Sequence, residues 1–164
     1  MEHLWSPWRL AYITGGPSPE GCVFCSALSE PDADSLVVFR GRTCYVILNL
    51  FPYNNGHLMV IPNRHIASLA AATGDELSEL IELTRVAEVA IVETYAPHGL
   101  NMGINLGKPA GAGILDHVHM HVVPRWNGDT NFMTVVGRTR VLPEDLAESA
   151  ARLRPVFARL VSSQ

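Results

Sequence analysis

Charged residues are scarce in this sequence, and neither sign is in strong excess. Only 17% of the 164 residues are Asp, Glu, Lys or Arg, and the formal net charge is −4. Proteins that hold nucleic acid by its phosphates usually carry a basic surface, so this balance argues against a DNA or RNA partner. A small anionic ligand remains compatible with it, because a local site can be positive in an acidic protein.

Long apolar runs and a cysteine framework are also lacking. Runs such as VAIV at 89–92 are far shorter than the roughly 20 residues of a membrane helix. The first residues contain an early acid and two tryptophans, which does not fit the apolar segment of a signal peptide. Three cysteines, an odd number, do not indicate a set of disulfides. We therefore expect a cytoplasmic protein in a reducing compartment, with no membrane partner.

The length and the hydrophobic content predict one folded unit. A chain of 164 residues that is 48% hydrophobic suits a single domain, 1–164, with its own core. Residues 14–35 are rich in Gly, Pro, Ser and acids, which predicts a loop with a cysteine-containing turn. A C-terminal helix is predicted at about 143–162, starting at Pro143 and kinked or divided at Pro155.

Alternating apolar residues predict strands, and a 3.6-residue period predicts a long helix. The helix is expected from Asp75 to Tyr95, with Asp75 as its N-cap. Strand patterns occur in five segments: 36–40, 43–50, 57–62, 99–107 and 117–123. Strand runs mixed with helix runs in this order predict an α+β fold, an antiparallel sheet with helices on one side.

The segment DHVHMHVVPRW, 116–126, places His117, His119 and His121 on alternate positions. On a strand they share one face and lie about 6.6 Å apart along it. One interpretation is a half-exposed strand with polar residues outward. A second is a metal site, although three ligands on one straight strand would surround an ion poorly. A third is nucleophilic catalysis, because a neutral imidazole attacks phosphorus well at pH 7.

A glycine-rich segment, NLGKPAGAG at 105–113, directly precedes the histidines. Small residues allow backbone N–H groups to approach phosphate oxygens closely, as a phosphate cradle needs. Lys108 within it either attracts a polyphosphate chain or is simply solvated. The segment alone is a weak signal, since it would also suit an ordinary loop. Its position next to the histidines favours the nucleophilic interpretation.

The motif HVHMHVV, 117–123, is the signature of the histidine triad superfamily of nucleotide hydrolases and transferases. The segments LWSPWR at 4–9, LNLFPYNNGHLMVIP at 48–62 and VVPRWNGDTNF at 122–132 resemble the branch that cleaves diadenosine tetraphosphate, usually described as a phosphorylase. The resemblance runs from about residue 4 to residue 132. It implies the histidine triad α+β fold, with about five antiparallel strands and two main helices, and a homodimer.

The resemblance also implies roles for individual residues. His119, the middle histidine, matches the family's nucleophile, which takes up the nucleotidyl group as a phosphoramidate. His121 would contact the phosphate oxygens and assist proton transfer, and His57 matches a histidine near the triad. Asn49 falls where the family faces the ribose hydroxyls, and Asn105 matches an Asn on the phosphate side.

The substrate implied is a nucleotide, a diadenosine polyphosphate, with no organic cofactor. Inorganic phosphate as acceptor gives ADP and ATP from diadenosine tetraphosphate, whereas water gives AMP and ATP. Gly111 and Gly113 would bring backbone donors to the phosphates, and Trp126 either stacks on adenine or covers the strand end. Many members carry Gln or Ser shortly before the signature, whereas this chain has Gly113 and Ile114, so that donor must be backbone or come from elsewhere. A phosphoramidate hydrolase and a nucleotide-binding module without turnover remain alternatives.

The pair Cys22 and Cys25 has the spacing of half a tetrahedral zinc site. A redox pair is the alternative, but no βαβ context accompanies it. His65 and His117 are available as further ligands. Several members of the superfamily bind zinc with a cysteine pair, a histidine in the position of His65 and the first triad histidine, so the resemblance implies a structural zinc at these four residues.

Overall fold

The computed structural model describes residues 21–31, 35–129 and 144–163. Three α-helices and five strands lie in these ranges. They are, in chain order, α1 (Val23–Ser29), β1 (Val37–Arg40), β2 (Cys44–Leu48), β3 (Leu58–Pro62), α2 (Gly74–Tyr95), β4 (Gly99–Ile104), β5 (Met120–Arg125) and α3 (Leu146–Ser162). Short 3-10 turns occupy Leu69–Ala71 and Lys108–Ala110.

The five strands of the described ranges form one antiparallel sheet in the order β1-β2-β3-β5-β4. Every residue of β2 and β3 is buried, so both faces of the sheet centre are covered. The central registers pair Leu48 with Leu58 and Leu58 with Val122. This sheet confirms the predicted α+β fold and its number of strands.

The two faces of the sheet carry different helices. Helices α2 and α3 pack over side chains such as Val46, Val60 and Val122. On the opposite face, Phe24 of α1 packs on residues of the three strands β1, β2 and β3: Val37, Tyr45, Ile47, Met59 and Ile61. The prediction of helices on one side is therefore right for the two long helices and wrong for α1.

Helix α1 also corrects the prediction of a loop over the whole of 14–35. A helix of seven residues is too short to be stable alone. The composition of the segment therefore predicted a loop and gave no sign of the helix. Burial of Phe24 and a hydrogen bond from the Tyr45 hydroxyl to its carbonyl, 2.8 Å, supply the missing stabilisation. The helix is a product of tertiary contacts.

Several predicted ends were also wrong. Helix α2 is capped by Thr73, with Asp75 in its first turn. Helix α3 is capped by Asp145 and begins at Leu146, whereas Pro143 lies outside the described residues; it continues undivided through Pro155. None of the helices in the described ranges is long and apolar enough to cross a membrane.

Strands β4 and β5 are shorter than their patterns. β5 starts at Met120 because the Val118 N–H donates to the carbonyl of Ile66, 2.7 Å, which is outside the sheet. β4 ends at Ile104, before the glycine-rich segment. The first two histidines of the motif therefore precede the strand.

The start of α2 is tied to the segment that follows β3. Thr73 and Glu76 form a reciprocal capping box, with the Thr73 N–H 2.7 Å from the Glu76 carboxylate. The Arg64 guanidinium donates to both oxygens of the same carboxylate, at 2.9 and 2.8 Å. Glu76 is buried and Arg64 is half-exposed, so water screens these charge-assisted bonds only in part. They fix the segment that carries His65.

Replacing Glu76 with Gln should lower the free energy of unfolding at pH 7 by about 1–3 kcal/mol. The Arg64 guanidinium first, and then the Thr73 amide, lower the pKa of Glu76 from 4.5 to about 2. The folded pKa is below the unfolded one, so this stabilisation is complete above about pH 4.5 and is lost as the pH falls through about 2. Urea unfolding at pH 7 and pH 3 should show the difference between wild type and variant shrinking.

Glu82 provides the matched control, because its pair with Arg85 lies on the exposed side of the same helix. Glu82→Gln should change the stability by about 0.5 kcal/mol or less. Equal effects of the two substitutions would contradict the assignment.

Candidate functional site

The histidines of the motif lie on the face of the sheet that α1 covers. His121 pairs across the strands with Met59, a residue of the apolar cluster around Phe24. Met120 and Val122 instead pack into the cluster beneath the two long helices. The ring centroids of His119 and His121 are 4.8 Å apart, as the alternation predicts for side chains on one face.

His57 and His121 form a hydrogen-bonded pair whose protons can be assigned. The Tyr53 N–H donates to Nδ1 of His57, 3.1 Å, so that nitrogen carries no proton. The proton of neutral His57 is then on Nε2, which lies 2.9 Å from Nδ1 of His121. His57 donates and His121 accepts, and His121 therefore carries its own proton on Nε2. A backbone amide thus sets the tautomers of two successive imidazoles.

His119 has the opposite tautomer. Its Nδ1 lies 2.9 Å from the carbonyl of His117, which can only accept, so Nδ1 carries the proton. Its Nε2 then has the free electron pair, and no described residue hydrogen-bonds to that nitrogen. Burial lowers the pKa of His119, which keeps the ring uncharged at neutral pH. A neutral imidazole whose lone pair is not engaged in a hydrogen bond is what a nucleophile requires.

His117 turns away from the other two histidines toward the cysteine pair. Its Nδ1 lies 3.3 Å from Sγ of Cys22 and 3.7 Å from Sγ of Cys25. His65 joins the group, with its Nδ1 3.4 Å from Sγ of Cys25. The triad rings therefore do not converge on a single ion. This geometry excludes the metal site built from all three.

The four ligand atoms of Cys22, Cys25, His65 and His117 lie within 4.8 Å of one another. Zinc at about 2.3 Å from sulfur and 2.0 Å from nitrogen would separate its ligands by roughly 3.3–3.8 Å, close to the three distances above. The Nε2–H of His117 donates to the carbonyl of Pro62, 2.9 Å, and leaves Nδ1 available as a ligand. Two cysteines and two such histidines fit a tetrahedral metal.

The thiols themselves indicate why a cation suits this cluster. Burial, followed by the adjacent Cys22, raises the pKa of Cys25. Two neighbouring thiolates are unfavourable without a positive charge between them, and a bound metal supplies one. Cys44, in contrast, is completely buried in the apolar core beneath the two long helices.

Asn49 and Asn105 lie at two edges of the same site. Asn49 follows β2, and its N–H donates to the carbonyl of His57, 2.9 Å. Its Oδ1 accepts from the Phe51 N–H at 2.9 Å, and the two N–H donors of the same side-chain amide point away from Phe51. Ile104, the last residue of β4, pairs with Met120 in the antiparallel register. Asn105, the next residue, therefore lies beside His119.

The glycine-rich segment is a compact turn, with Lys108 exposed on it. The N–H groups of Ala110, Gly111 and Ala112 donate to carbonyls of Gly107 and Lys108 inside the turn. Gly111 therefore uses its backbone donor internally, contrary to the expected cradle. Within the described ranges no partner is recorded for the N–H groups of Gly113 and Ile114, and Ile114 packs on the cluster around Phe24. The N–H groups of Gly113 and Ile114, unlike that of Gly111, are therefore available to a ligand.

The other end of β5 is held by an ion pair. Arg125 donates to both carboxylate oxygens of Asp129, at 2.6 and 2.9 Å. Asp129 also accepts from Asn54 at 2.8 Å and from the N–H of Trp126 at 3.3 Å. Trp126 is half-buried after the strand. The segment with Trp5, Trp8 and Arg9 lies outside the described residues.

Sequence reasoning missed four contributors to the site. Gly103 pairs directly with His121, and a Cβ there would meet nothing within 4 Å, so open space lies beside that histidine. Tyr53 donates its backbone N–H to His57 and places its ring 4.8 Å from the ring of that histidine. The Asn54 side chain donates to Asp129. Phe24, between the two cysteines, contacts His119. Its apolar side chain in a polar segment was the one available signal.

The fold agrees with the comparisons to known proteins. The sequence profile of the HIT domain, the domain of the histidine triad proteins, matches residues 30–128. The chain belongs to the histidine triad family. It is 39% identical to a protein named AP-4-A phosphorylase from Mycobacterium tuberculosis, over 97% of this chain and 86% of that protein.

Solved structures show the same fold. A zinc-bound histidine triad family protein from Mycobacterium smegmatis aligns with a TM-score of 0.69 at 29% identity, over 87% of this chain and 97% of that one. A hypothetical histidine triad nucleotide-binding protein from Sulfolobus tokodaii aligns with a TM-score of 0.68 at 27% identity, over 85% and 93% of the two chains.

The tautomers are directly measurable. Two-dimensional ¹⁵N NMR of the histidine rings near pH 7.5 should show His119 protonated on Nδ1, and both His57 and His121 protonated on Nε2. The hydrogen bonds above fix each proton, because a carbonyl cannot donate and a backbone N–H cannot accept. A spectrum in which His119 carries its proton on Nε2 would refute the arrangement.

Proposed function

We propose that this protein is an enzyme that transfers a nucleotidyl group from a dinucleoside polyphosphate through a covalent nucleotidyl-His119, with diadenosine tetraphosphate as substrate and inorganic phosphate as acceptor. The observation that carries the proposal is the lone pair on Nε2 of buried, neutral His119, with its other nitrogen bonded to the His117 carbonyl. The 39% identity to a protein named AP-4-A phosphorylase over nearly the whole chain supports the substrate.

In the first step Nε2 of His119 attacks the α-phosphorus of diadenosine tetraphosphate. An N–P bond forms, the P–O bond to the bridging oxygen breaks, and ATP departs with the electron pair of that bond. The imidazole becomes positively charged while it holds the adenylyl group, and the Nδ1–H···O bond to His117 stabilises this charge. The Nε2–H of His121 donates to a phosphate oxygen or to the departing oxygen.

In the second step an oxygen of inorganic phosphate attacks the same phosphorus, the N–P bond breaks, and ADP leaves with His119 restored. Water in place of phosphate gives AMP. Each step inverts the phosphorus, so the configuration is retained overall. Phosphorolysis is favoured if the site orders phosphate and excludes water, which the burial of His57 and His119 supports.

The remaining site residues would bind the substrate. The free N–H donors of Asn49 suit ribose hydroxyls, and Asn105, level with His119, suits a phosphate oxygen. The backbone of Gly113, together with Ile114, replaces the side-chain donor of other members. Lys108 is exposed on the adjoining turn and attracts the polyphosphate chain, with Gly111 shaping that turn. Trp126 offers a ring for stacking on adenine.

We further propose a structural zinc bound by Cys22, Cys25, His65 and His117, supported by their distances and by the zinc-bound relative. A metal with four protein ligands holds α1 against the residues before β5 and takes no part in the chemistry. The reducing cytoplasm is the compartment in which these thiols would persist.

A homodimer is proposed on the resemblance, and the sheet edge is compatible with it. β4 is an edge strand of the described sheet, and Met102 on it is exposed. An unpaired, partly apolar edge is a ready surface for a second copy of the chain.

Incubation with diadenosine tetraphosphate, with and without inorganic phosphate, tests the function. Chromatography should show ADP and ATP forming only when phosphate is present, because phosphate is the second nucleophile. AMP in both reactions would make the protein a hydrolase of the same covalent type. Tight binding of the dinucleotide without any product would instead favour a nucleotide-binding module.

His119→Ala should lower kcat by roughly a thousandfold or more, as loss of a nucleophile does. His98→Ala is the matched control, because His98 is exposed on the loop before β4 and should keep the wild-type rate. Circular dichroism should show both variants folded. A wild-type rate in His119→Ala would refute the nucleophile.

Elemental analysis of protein purified without added metal should show about one zinc per chain, since the four ligands form one closed site. Cys22→Ser should lose most of this zinc and lower the melting temperature. Cys44→Ala is the control, because Cys44 lies outside the cluster and should keep the metal. Wild-type protein without zinc would contradict the assignment.

A further inference from the structure

Phe24 lies between the cysteines of the metal cluster and contacts a histidine of the reaction site. Its ring centroid is 5.0 Å from that of His119, with an angle of 57° between the planes. It is 5.6 Å from the ring of His117, edge to face. Phe24 is 6% exposed, so the contact is shielded from water. A single side chain therefore connects the two centres.

The position of Phe24 is fixed from several directions. Its carbonyl accepts the hydrogen bond from the Tyr45 hydroxyl, and its ring packs on Tyr45, Ile47, Met59 and Ile61. Arg40 donates to the carbonyls of Leu28 and Glu30 at the end of α1, at 2.5 and 2.7 Å. The helix backbone and the aromatic ring are thus held together as one unit against the sheet.

The orientation of the His119 ring depends on the side chains that pack against it. Among the described residues the Nδ1–H bond to His117 is the only hydrogen bond of this ring, and it restrains the ring from one edge alone. The last torsion of a histidine side chain has broad, shallow minima, so packing on the ring narrows the range of angles that one hydrogen bond leaves. The rings of Phe24 and His121 both lie against it, with centroids 5.0 and 4.8 Å from that of His119.

We propose that Phe24 is a positioning residue that holds the His119 ring in its reactive orientation and makes that orientation depend on whether the Cys22–Cys25–His65–His117 cluster holds a metal. The role in catalysis rests on the proposed function, whereas the link between the two centres does not. Both cysteines flank Phe24 in the chain, so a metal bound to them fixes the backbone on either side of its ring.

Loss of the metal should loosen the packing of Phe24 against His119. Helix α1 has seven residues and is not stable alone, so its order depends on its attachments. Without the metal, the cysteine side of the helix is released while the Tyr45 and Arg40 bonds remain. The Phe24 ring then moves relative to His119, and the imidazole samples more than one angle.

Ring signals of His119 in ¹⁵N and ¹³C NMR test the link without any substrate. In wild type, removing zinc with a chelator should shift and broaden the His119 signals, and adding zinc should restore them. Phe24→Leu should still bind one zinc, yet its His119 signals should be broad in both states, and the response to zinc should fall to less than about a third.

Val37→Ala is the matched control, since Val37 belongs to the same apolar cluster but lies on β1, with β2 and β3 between it and β5. It should keep the full response to zinc. A response in Phe24→Leu as large as in wild type would overturn the inference and assign the coupling to the His117 backbone. Should Phe24→Leu not fold, Phe24→Met serves in the same comparison, with the same two outcomes.

Kinetics with diadenosine tetraphosphate give the second arm. Zinc-loaded Phe24→Leu should lose about tenfold in kcat with KM changed less than twofold, because a misdirected nucleophile affects the chemical step more than binding. An unchanged kcat would remove the positioning role. If wild type itself forms no product, the proposed function fails, and the NMR comparison still decides whether Phe24 links the two centres.

Discussion

The site depends on His117, because each of its ring nitrogens and its carbonyl contacts a different part of the molecule. Its Nε2–H bonds to the carbonyl of Pro62 at the end of β3, and its Nδ1 faces Cys22 and Cys25. Its own carbonyl accepts the Nδ1–H of His119. One buried residue thus anchors the N-terminal helix to the sheet and sets the tautomer of the neighbouring imidazole. Removal of either ring nitrogen's partner would leave a buried polar atom unsatisfied, which typically costs about 1–3 kcal/mol.

The larger apolar core and the histidine site lie on opposite faces of the sheet. One face buries Val46, Val60 and Val122 under the long helices and forms the larger apolar core. The other face carries the histidines, with a smaller apolar cluster beside them. The alternation of side chains along β5 makes this possible, because adjacent residues of one strand serve opposite layers. Changes on the histidine face therefore leave the main core intact.

The α+β fold and most strands could be predicted because period-two alternation is a local property of the chain. The pairing of Cys22 with His117 could not be found from spacing alone, since 95 residues separate them; the resemblance supplied it. The start of β5 was misjudged because Val118 bonds to Ile66, a tertiary contact with no local signal. Tyr53 was missed since its backbone N–H and its ring both reach His57 through the conformation of the segment between β2 and β3, which has no local signal. The roles of the individual site residues stay predictions.

The 95 residues that separate Cys22 from His117 in the sequence have a consequence for the cluster during synthesis of the chain. Closing a loop of this size costs about 4 kcal/mol of chain entropy, which contacts formed late must repay. During synthesis at roughly 5–20 residues per second, Cys22 waits about 5–20 s for His117 to emerge, whereas His65 follows Cys25 by only 40 residues. Over that interval both sulfurs are accessible to oxidants and to competing metals. The order in which the ribosome releases the chain thus leaves the thiols unprotected longer than any other part of the cluster.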